Sequence, residues 1–155
     1  MGGSLAGFVR VESIVNHKGH EDREGREEER GYARAGDFTN QVIGLAIKIH
    51  RKLGPGLLED VYEECLCWEL AQNGMAFERQ VAVPLVYEGV RLPRGYRADI
   101  VIGNAMILEI KSVERILPVH EAQMMTYLRL SGRQIGLLMN FNTPLLKDGL
   151  RRFIL

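Results

Sequence analysis

Two neighbouring runs of alternating side chains constrain the fold of this chain more than any other feature. The segments YRADIVI (96–102) and MILEIKS (106–112) change character at every second position, which is the period of a β-strand. The apolar residues that share one face of the first strand are Ala98, Ile100 and Ile102. Glu109 and Lys111 share one face of the second strand. We therefore expect two paired strands with one apolar face and one charged face.

The length of the connection decides whether the charged residues of the two strands meet. A two-residue turn would leave Asp99 opposite an apolar residue on the wrong face, because a slip of one residue reverses every side chain. A three-residue connection (103–105), with a glycine or Asn in the left-handed conformation, pairs Ile102 with Met106. The same register sets Asp99 opposite Glu109, with their Cβ atoms about 5 Å apart. The sequence thus predicts an odd-length connection and a pair of carboxylates.

Two carboxylates this close repel each other, and a shared proton or a cation relieves the repulsion. Asp99 and Glu109, with a main-chain carbonyl and water, form an all-oxygen set that suits Mg²⁺ or Mn²⁺. Lys111 on the same face is placed to stabilise an attacking water and the charge that develops on phosphorus. A salt-bridge cluster of these three residues with a nearby arginine is the alternative, and the residues alone leave it open.

Two amphipathic helices are predicted before the strands. The apolar positions of the first are Val42, Leu45, Ala46, Ile49 and Leu53. Thr39 or Asn40 is its predicted N-cap and Gly54 its end. The second helix is predicted to carry an apolar stripe and to end near Gly74. The stripe consists of Leu58, Val61, Cys65 and Trp68.

The rest of the chain completes an α/β pattern of two helices followed by βββαβ(β). The run 77–92 breaks at Glu88-Gly89 like a hairpin. A helix is predicted from Pro118, in its first turn, to Gly132 at its end. The segment QIGLLMNF is a predicted strand, and LRRFIL is a candidate for another. We expect a mixed central sheet flanked by helices.

Residues 1–36 are predicted to be a disordered charged tail, and residues 37–155 a single domain. The stretch 17–36 has six Asp and Glu, five Lys and Arg and almost no aliphatic side chains, so it cannot bury enough apolar surface to offset the entropy of ordering. A solvated helix held by Glu and Arg pairs is the alternative for this stretch.

Composition excludes several classes of function. The formal net charge is zero, so the chain lacks the overall basic field of many nucleic-acid binders. Cys65 and Cys67 have a spacing that suits neither a disulfide nor a zinc knuckle, and we expect two reduced thiols. No apolar stretch approaches the ~18 residues of a membrane span, and the start lacks a basic leader. We expect a cytoplasmic protein with no membrane partner.

The segment RADIVIGNAMILEIKS resembles the signature of the PD-(D/E)XK nuclease superfamily, an Asp followed about ten residues later by Glu-x-Lys. Upstream, GPGLLEDVYEECL holds Gly56, Glu59 and Tyr62 in the spacing that names the GxxExxY protein family, a branch similar to that superfamily. The flanking segments IHRKLGPG and EAQMMTYL also resemble that family, so the similarity covers about residues 38–155. One departure is Ala98, which stands where the superfamily signature begins with Pro.

The resemblance implies a restriction-endonuclease-like fold and Mg²⁺-dependent or Mn²⁺-dependent hydrolysis of phosphodiester bonds in DNA or RNA. It implies that Asp99 and Glu109 ligate the metal, that Ile110 offers its carbonyl, and that Lys111 is the catalytic lysine. It also implies that Glu59 reaches the metal site from the second helix. The alternative for Glu59 is a carboxylate that interacts with the helix dipole.

Three further residues carry supporting roles under the same resemblance. Tyr62 either hydrogen-bonds in the pocket or packs. Gln123 and Tyr127, four apart on one helix face, either contact the substrate backbone and hold Lys111 or form a polar pair at the core edge. His50 and His120 are excluded from the metal shell. Six arginines form a candidate phosphate-facing rim: Arg91, Arg94, Arg97, Arg115, Arg129 and Arg133.

A second class of function stays open at this point. A catalytically inactive module that keeps the nuclease fold to bind nucleic acid or a protein partner fits the same residues, and the neutral charge favours it. The sequence also leaves open assembly into a homo-oligomer or a larger complex.

Overall fold

The computed structural model describes residues 10–12 and 26–155; side chains are described for 36 and 38–155 except 93 and 94. The helices are α1 (Arg26–Leu53), α2 (Glu59–Gln72) and α3 (Pro118–Ser131), with a short 3-10 helix at Leu146–Gly149. The strands are β1 (Arg10–Glu12), β2 (Glu78–Tyr87), β3 (Val90–Ile102), β4 (Met106–Lys111), β5 (Ile135–Asn140) and β6 (Leu150–Ile154). The predicted α/β order of two helices, three strands, a helix and one or two strands is confirmed from α1 onward, and the structure has two strands after α3.

A six-stranded mixed sheet forms the centre of the fold, in the order β1-β6-β5-β4-β3-β2. The β4–β5 pair is parallel and the other pairs are antiparallel. Helices α1 and α2 cover one face, where they pack on Ile100, Leu108 and Ile110. Helix α3 covers the other face, where Met124 and Leu128 pack near Ile107. The central strand β4 is therefore buried on both sides.

The close approach of α3 to the sheet depends on a glycine of β5. A Cβ atom added to Gly136 would lie 2.5 Å from Met124 Sδ and 3.2 Å from Leu128 Cδ1. Only a residue without a side chain leaves room for the helix at this depth. Gly136 thus sets the distance between α3 and the strands that carry the predicted site.

The predicted register between β3 and β4 is confirmed. Ile102 pairs with Met106 and Ile100 pairs with Leu108, across a three-residue connection at 103–105. Gly103 supplies the left-handed conformation that this connection needs, with φ of 54°. The register brings Asp99 to the level of Glu109.

The alternation predicted for β3 is wrong at one position. Ala98 was predicted to share a face with Ile100, but it packs in the α3-side cluster with Val101. The neighbouring strand is irregular at the same level, since Gln80 has φ of 51°. A local distortion of the β2–β3 pair next to Asp99 therefore turns Ala98 to the opposite face.

Helix α1 begins earlier than the sequence predicts. It starts at Arg26, so Thr39 and Asn40 lie inside the helix and neither is its N-cap. The predicted end at Gly54 is confirmed, because the Gly54 N–H bonds the His50 carbonyl and its φ is 70°. Strand β1 and residues 26–36 have regular structure inside the predicted tail. The rest of the predicted tail, 1–9 and 13–25, lies outside the described residues.

The face that α2 buries differs from the predicted one. Its buried apolar residues are Tyr62, Leu66, Cys67 and Leu70. The predicted stripe is largely at the surface, with Leu58, Val61 and Trp68 exposed and Cys65 half-buried. Helix α2 carries apolar residues on both sides, so periodicity alone could not choose between them.

The predicted termini of α2 and α3 fit the structure closely. Asn73 caps the end of α2, and Gly74 follows it in the left-handed conformation. Helix α3 begins at Pro118 and ends at Gly132, whose φ of 67° is left-handed. Within the described part of the chain, no helix is both long and apolar enough to cross a membrane.

Candidate active site

Asp99 lies where the paired part of β3 and β4 ends. The last paired residues before it are Ile100 and Leu108. Beyond them, the Ile110 N–H donates to Asp99 Oδ2 at 2.8 Å, and Gln80 Nε2 lies 3.4 Å from Asp99 Oδ1. The Asp99 side chain therefore accepts a main-chain hydrogen bond from β4, which holds its carboxylate beside that strand.

Glu109 and Lys111 lie next to each other on the α3 side of β4. The Glu109 side chain is buried, with the residue only 5% exposed. Lys111 Nζ is 3.4 Å from Glu109 Oε1, and the Lys111 side chain is 16% exposed. Glu109 Oε2 is buried and has no hydrogen-bond partner among the described residues. One carboxylate oxygen is thus left free to bind a cation.

Burial and nearby charges raise the pKa values of both acids of the candidate site. Burial raises the pKa of Glu109 to about 7, with a further contribution from the charge of Asp99, while Lys111 opposes the shift. Burial also raises the pKa of Asp99; the Ile110 N–H opposes this shift, and the charge of Glu63 adds to it. Two buried acids whose pKa values are both raised are placed to be stabilised by a positive ion.

The carboxylate oxygen atoms of Asp99 and Glu109 suit a hard divalent cation. Asp99 and Glu109 provide two carboxylates, and the buried Glu109 Oε2 needs a partner. In the part of the chain that the structure describes, no cluster of three or more His, Cys, Asp or Glu side chains is arranged for a metal. A cation here would therefore complete its coordination with main-chain carbonyl oxygen and water, as Mg²⁺ commonly does.

Sequence reasoning missed Glu63, the carboxylate of α2 whose charge acts on Asp99. Glu63 is buried; its Oε1 accepts a hydrogen bond from Arg79 Nε at 3.1 Å, and its Oε2 accepts one from Gln80 Nε2 at 2.8 Å. The Gln80 amide thus lies between Glu63 and Asp99. The signal that could have found Glu63 is a charged residue on the inner face of α2, but the predicted stripe placed that face outside.

Glu59 lies at the carboxyl end of β4. Its Oε1 accepts a hydrogen bond from Ser112 N at 3.1 Å, and Ser112 Oγ donates to the Leu57 carbonyl at 2.6 Å. These contacts join the start of α2 to the strand that carries Lys111. The structure thus brings Glu59 to the end of the strand, whereas the α2 charge that acts on Asp99 is that of Glu63.

Tyr62 holds the loop before α2 and packs in the core. Its hydroxyl donates to the Gly54 carbonyl at 2.5 Å and accepts from Leu57 N at 3.2 Å. Its ring stacks on Phe141 with centroids 4.3 Å apart. Tyr62 was predicted either to hydrogen-bond in the pocket or to pack, and its position in the core fits the second alternative.

Tyr127 brings α3 close to the carboxylates. Its pKa is raised by burial, and the charges of Glu109 and Asp99 raise it further. The ring meets Tyr96 edge-on at 5.3 Å. Gln123 lies one turn earlier on α3 and is half-buried. Tyr127 and the two acids therefore occupy one region of the molecule.

The two histidines that were excluded from the metal shell have structural contacts. His50 Nε2 lies 2.8 Å from the Thr143 carbonyl. His120 Nδ1 accepts a hydrogen bond from Leu117 N at 3.0 Å, at the start of α3. Both imidazoles thus hold neighbouring segments together.

The candidate arginine rim is only partly accessible. The exposed members are Arg91, Arg97, Arg115 and Arg129. Arg133 is half-buried, and the Arg94 side chain lies outside the described residues. The phosphate-facing rim stays a prediction.

Comparison with known proteins identifies the family. Residues 36–153 match the PD-(D/E)XK nuclease superfamily. The narrower GxxExxY family is not confirmed by this match. Comparisons with curated proteins and with solved structures gave no match. The matched range contains the β3–β4 pair, the Asp99, Glu109 and Lys111 constellation, and the helices on both faces of the sheet. The chain therefore belongs to the PD-(D/E)XK nuclease superfamily, and its mixed sheet with helices on both faces is consistent with the restriction-endonuclease-like fold of that superfamily.

Proposed function

We propose that this protein is a divalent-metal-dependent nuclease that hydrolyses phosphodiester bonds in nucleic acid. The observation that carries the proposal is the convergence of Asp99 and Glu109 beside Lys111, with Glu109 Oε2 buried and unpartnered among the described residues. A buried salt bridge alone would leave that oxygen without a partner, at a cost in stability. A cation bound at this site would supply the partner that Glu109 Oε2 lacks.

Mg²⁺ or Mn²⁺ is the proposed cofactor, held by Asp99, Glu109 and the main-chain carbonyl of Ile110. The bound ion supplies Lewis-acid charge at the scissile phosphate and lowers the pKa of water. Burial keeps the pKa of both carboxylates above the ordinary range; the charge of Asp99 adds to the shift of Glu109, and the charge of Glu63 adds to the shift of Asp99. Without a cation, full ionisation of the two acids is therefore unfavourable. Both residues therefore bind the ion in competition with protons.

Lys111 is the proposed catalytic cation. Its ammonium group is held 3.4 Å from Glu109 Oε1 and is largely shielded from solvent. In that position it can orient the attacking water and stabilise the negative charge that grows on the phosphate oxygens. Tyr127 and Gln123 on α3 are proposed to belong to the same site, where they contact the substrate backbone or hold Lys111.

Glu63 and Gln80 are proposed to position Asp99. The Gln80 amide bonds Glu63 and also lies within reach of Asp99 Oδ1, while the Ile110 N–H bonds the other oxygen. A carboxylate held at both oxygens loses little rotational freedom when it binds a cation. Glu59 contributes indirectly, through its hydrogen bond to the end of β4.

A non-catalytic module is the second candidate, and the charge of the domain favours it. Residues 37–155 contain fourteen Lys and Arg against thirteen Asp and Glu. A protein that binds nucleic acid over many phosphates usually has a clear excess of bases. The nuclease proposal therefore needs a small, local contact with the substrate, whereas a module could bind a protein partner.

The proposal is tested by incubating the protein with labelled single-stranded and double-stranded DNA and RNA in Mg²⁺, in Mn²⁺ and in EDTA. The variants are Asp99→Asn and Lys111→Met, with Lys147→Met on the exposed 3-10 helix as the matched control. We expect metal-dependent cleavage that falls by roughly a hundredfold or more in the two site variants and is unchanged in the control.

Metal binding gives a readout that does not depend on turnover. Isothermal titration with Mn²⁺ should show a site in the wild type and in Lys111→Met, and a loss of binding in Asp99→Asn. Nucleic-acid binding that persists in EDTA and in all variants, with no cleavage in any condition, would instead support the module. Mn²⁺ binding that Asp99→Asn leaves intact would contradict the proposed site.

A further inference from the structure

The outer face of α2 is apolar and exposed. Leu58 is 72% exposed and Trp68 is 59% exposed, and Val61 lies between them on the same stripe. The inner face of α2 is also apolar and is packed on the sheet through Leu66 and Leu70. A helix with apolar residues on both faces is usually buried on both. The part of the chain that the structure describes covers only the inner face.

A groove lies beside this stripe, between α2 and the end of α1. Its walls are mainly apolar, and it encloses about 350 Å³. The apolar lining residues are Ile49, Leu53, Cys65 and Trp68. Lys52 and Glu64 also line the groove and are exposed. Glu69 lines it too, but it is buried and paired with Lys48, so the rim carries one accessible lining charge of each sign.

We propose that a second copy of this chain docks on the outer face of α2, so that the protein forms a two-fold symmetric dimer. A two-fold interface uses the same patch on both subunits, so the patch must complement itself. The outer face of α2 complements itself in this arrangement: Trp68 of each copy enters the groove of the other, and Lys52 pairs with Glu64 of the partner subunit. The symmetry then forms each contact twice.

Charge favours a second copy over a different partner. A groove for an acidic or a basic protein would carry an excess of the opposite charge on its rim, whereas Lys52 and Glu64 balance each other. The chain as a whole has a formal net charge of zero, so two copies do not repel each other over long distances. This proposal does not depend on the proposed nuclease activity.

Trp68 reports on its own burial, because it is the single tryptophan of the chain. In a dimer its fluorescence should be that of a shielded indole and should shift to longer wavelength on dilution, together with a fall in sedimentation coefficient. Trp68→Ala should weaken dimerisation by roughly a hundredfold or more, since buried tryptophans dominate interface energy. Tyr87→Ala is the matched control, because Tyr87 is an aromatic residue of the β2–β3 hairpin that is 67% exposed.

A charge-reversal series tests the pairing itself. Lys52→Glu and Glu64→Lys should each weaken the dimer by about tenfold, because each reverses two symmetric contacts. The double variant Lys52→Glu/Glu64→Lys should restore most of the affinity. Circular dichroism of each variant checks that the fold is intact.

Several results would overturn the dimer. A protein that stays monomeric at every concentration, with Trp68 emission independent of dilution, indicates an outer face that is free or is covered within the chain. A dimer that Trp68→Ala leaves intact, or that Tyr87→Ala disrupts as strongly, indicates another interface. Failure of the double charge reversal to restore affinity contradicts the proposed pairing.

Discussion

The two faces of β4 show how one short strand serves both stability and chemistry. On the face toward α1 and α2, Leu108 and Ile110 are completely buried among apolar side chains. On the face toward α3, Ile107 is also packed, but Glu109 and Lys111 follow it. The two faces of β4 begin to differ beyond Leu108, where the pairing with β3 ends. The Asp99 carboxylate lies beside β4 at this level.

The covering helices explain why the charges are tolerated on one face only. Helices α1 and α2 meet β4 with mainly apolar side chains, which cannot satisfy a charge. Helix α3 brings Tyr127 to its face, and Asp99 and Lys111 supply polar atoms nearby. The two faces of β4 thus show that the candidate site depends on polar groups gathered at the end of a strand whose other residues belong to the core.

The largest effect is expected from the apolar face. Leu108→Ala should lower the free energy of unfolding by about 3–4 kcal/mol, because it removes a fully buried side chain and leaves a cavity. Urea denaturation measures the loss. The same kind of truncation at the exposed Val86, Val86→Ala, is the control and should change stability by less than about 0.5 kcal/mol. Equal losses of unfolding free energy in the two variants would contradict the prediction that the apolar face of β4 contributes more to stability than the surface does.

On the charged face, replacing a buried side chain should raise the free energy of unfolding at neutral to alkaline pH rather than lower it. The folded protein holds the Glu109 proton up to about pH 7, whereas the unfolded chain releases it near the ordinary pKa of 4.5. Stability therefore falls as pH rises through this interval, because ionising Glu109 is costly only in the folded state. Without added metal, Glu109→Gln should raise the free energy of unfolding by about 1–2 kcal/mol at pH 8 and change it little at pH 5.

Urea denaturation at both pH values, with the exposed hairpin variant Glu88→Gln as the control, measures this difference. A Glu109→Gln variant that is no more stable than the wild type at pH 8 would show that the pKa of Glu109 is not raised. Added Mg²⁺ should stabilise the wild type but not Glu109→Gln if the carboxylate binds the ion.

Glu63 connects the two regions, because it lies on α2 yet acts on Asp99. Glu63→Gln should lower the pKa of Asp99, since it removes a negative charge that raises it. The free energy of unfolding should fall by about 1 kcal/mol as the hydrogen bond from Arg79 weakens. A carboxyl NMR titration follows Asp99, with Glu78→Gln at the exposed start of β2 as the control. An unchanged Asp99 titration would separate Glu63 from the site.

The smallest effect on the free energy of unfolding is expected for a charge on the α3 side of the sheet but outside the candidate site. Glu121 Oε1 is 3.9 Å from Arg151 Nε, and both side chains are about one-third exposed. Glu121→Gln should change the free energy of unfolding by less than about 0.5 kcal/mol, because solvent screens the pair. A larger loss would show that charge is important across the whole α3 face.

The β3–β4 register was predictable because several independent constraints agree. Alternation in both strands, a glycine in the connection and the need to align apolar faces all pointed to Ile102 opposite Met106, which the structure has. The same reasoning placed Asp99 and Glu109 together. It failed at Ala98, because the distortion next to Asp99 depends on Gln80 in a neighbouring strand.

Helix α2 shows where sequence reasoning lacked information. Its two apolar stripes have similar periodicity, so either could face the sheet, and the predicted one was wrong. The error also hid Glu63, because a residue assigned to the solvent side is not considered for the site. Glu59 was chosen from the GxxExxY spacing; the structure places it against Ser112, next in the chain to Lys111, and its role at the metal stays a prediction.

The sequence alone determined the order of elements from α1 onward, the β3–β4 register and the three residues of the proposed site, because these follow from local periodicity and turn chemistry. Only the tertiary structure decided which face of α2 is buried, which α2 carboxylate acts on Asp99 and which oxygen of Glu109 lacks a partner. Those outcomes depend on contacts between residues distant in the chain. Spacing within one segment does not encode the direction from which another segment approaches.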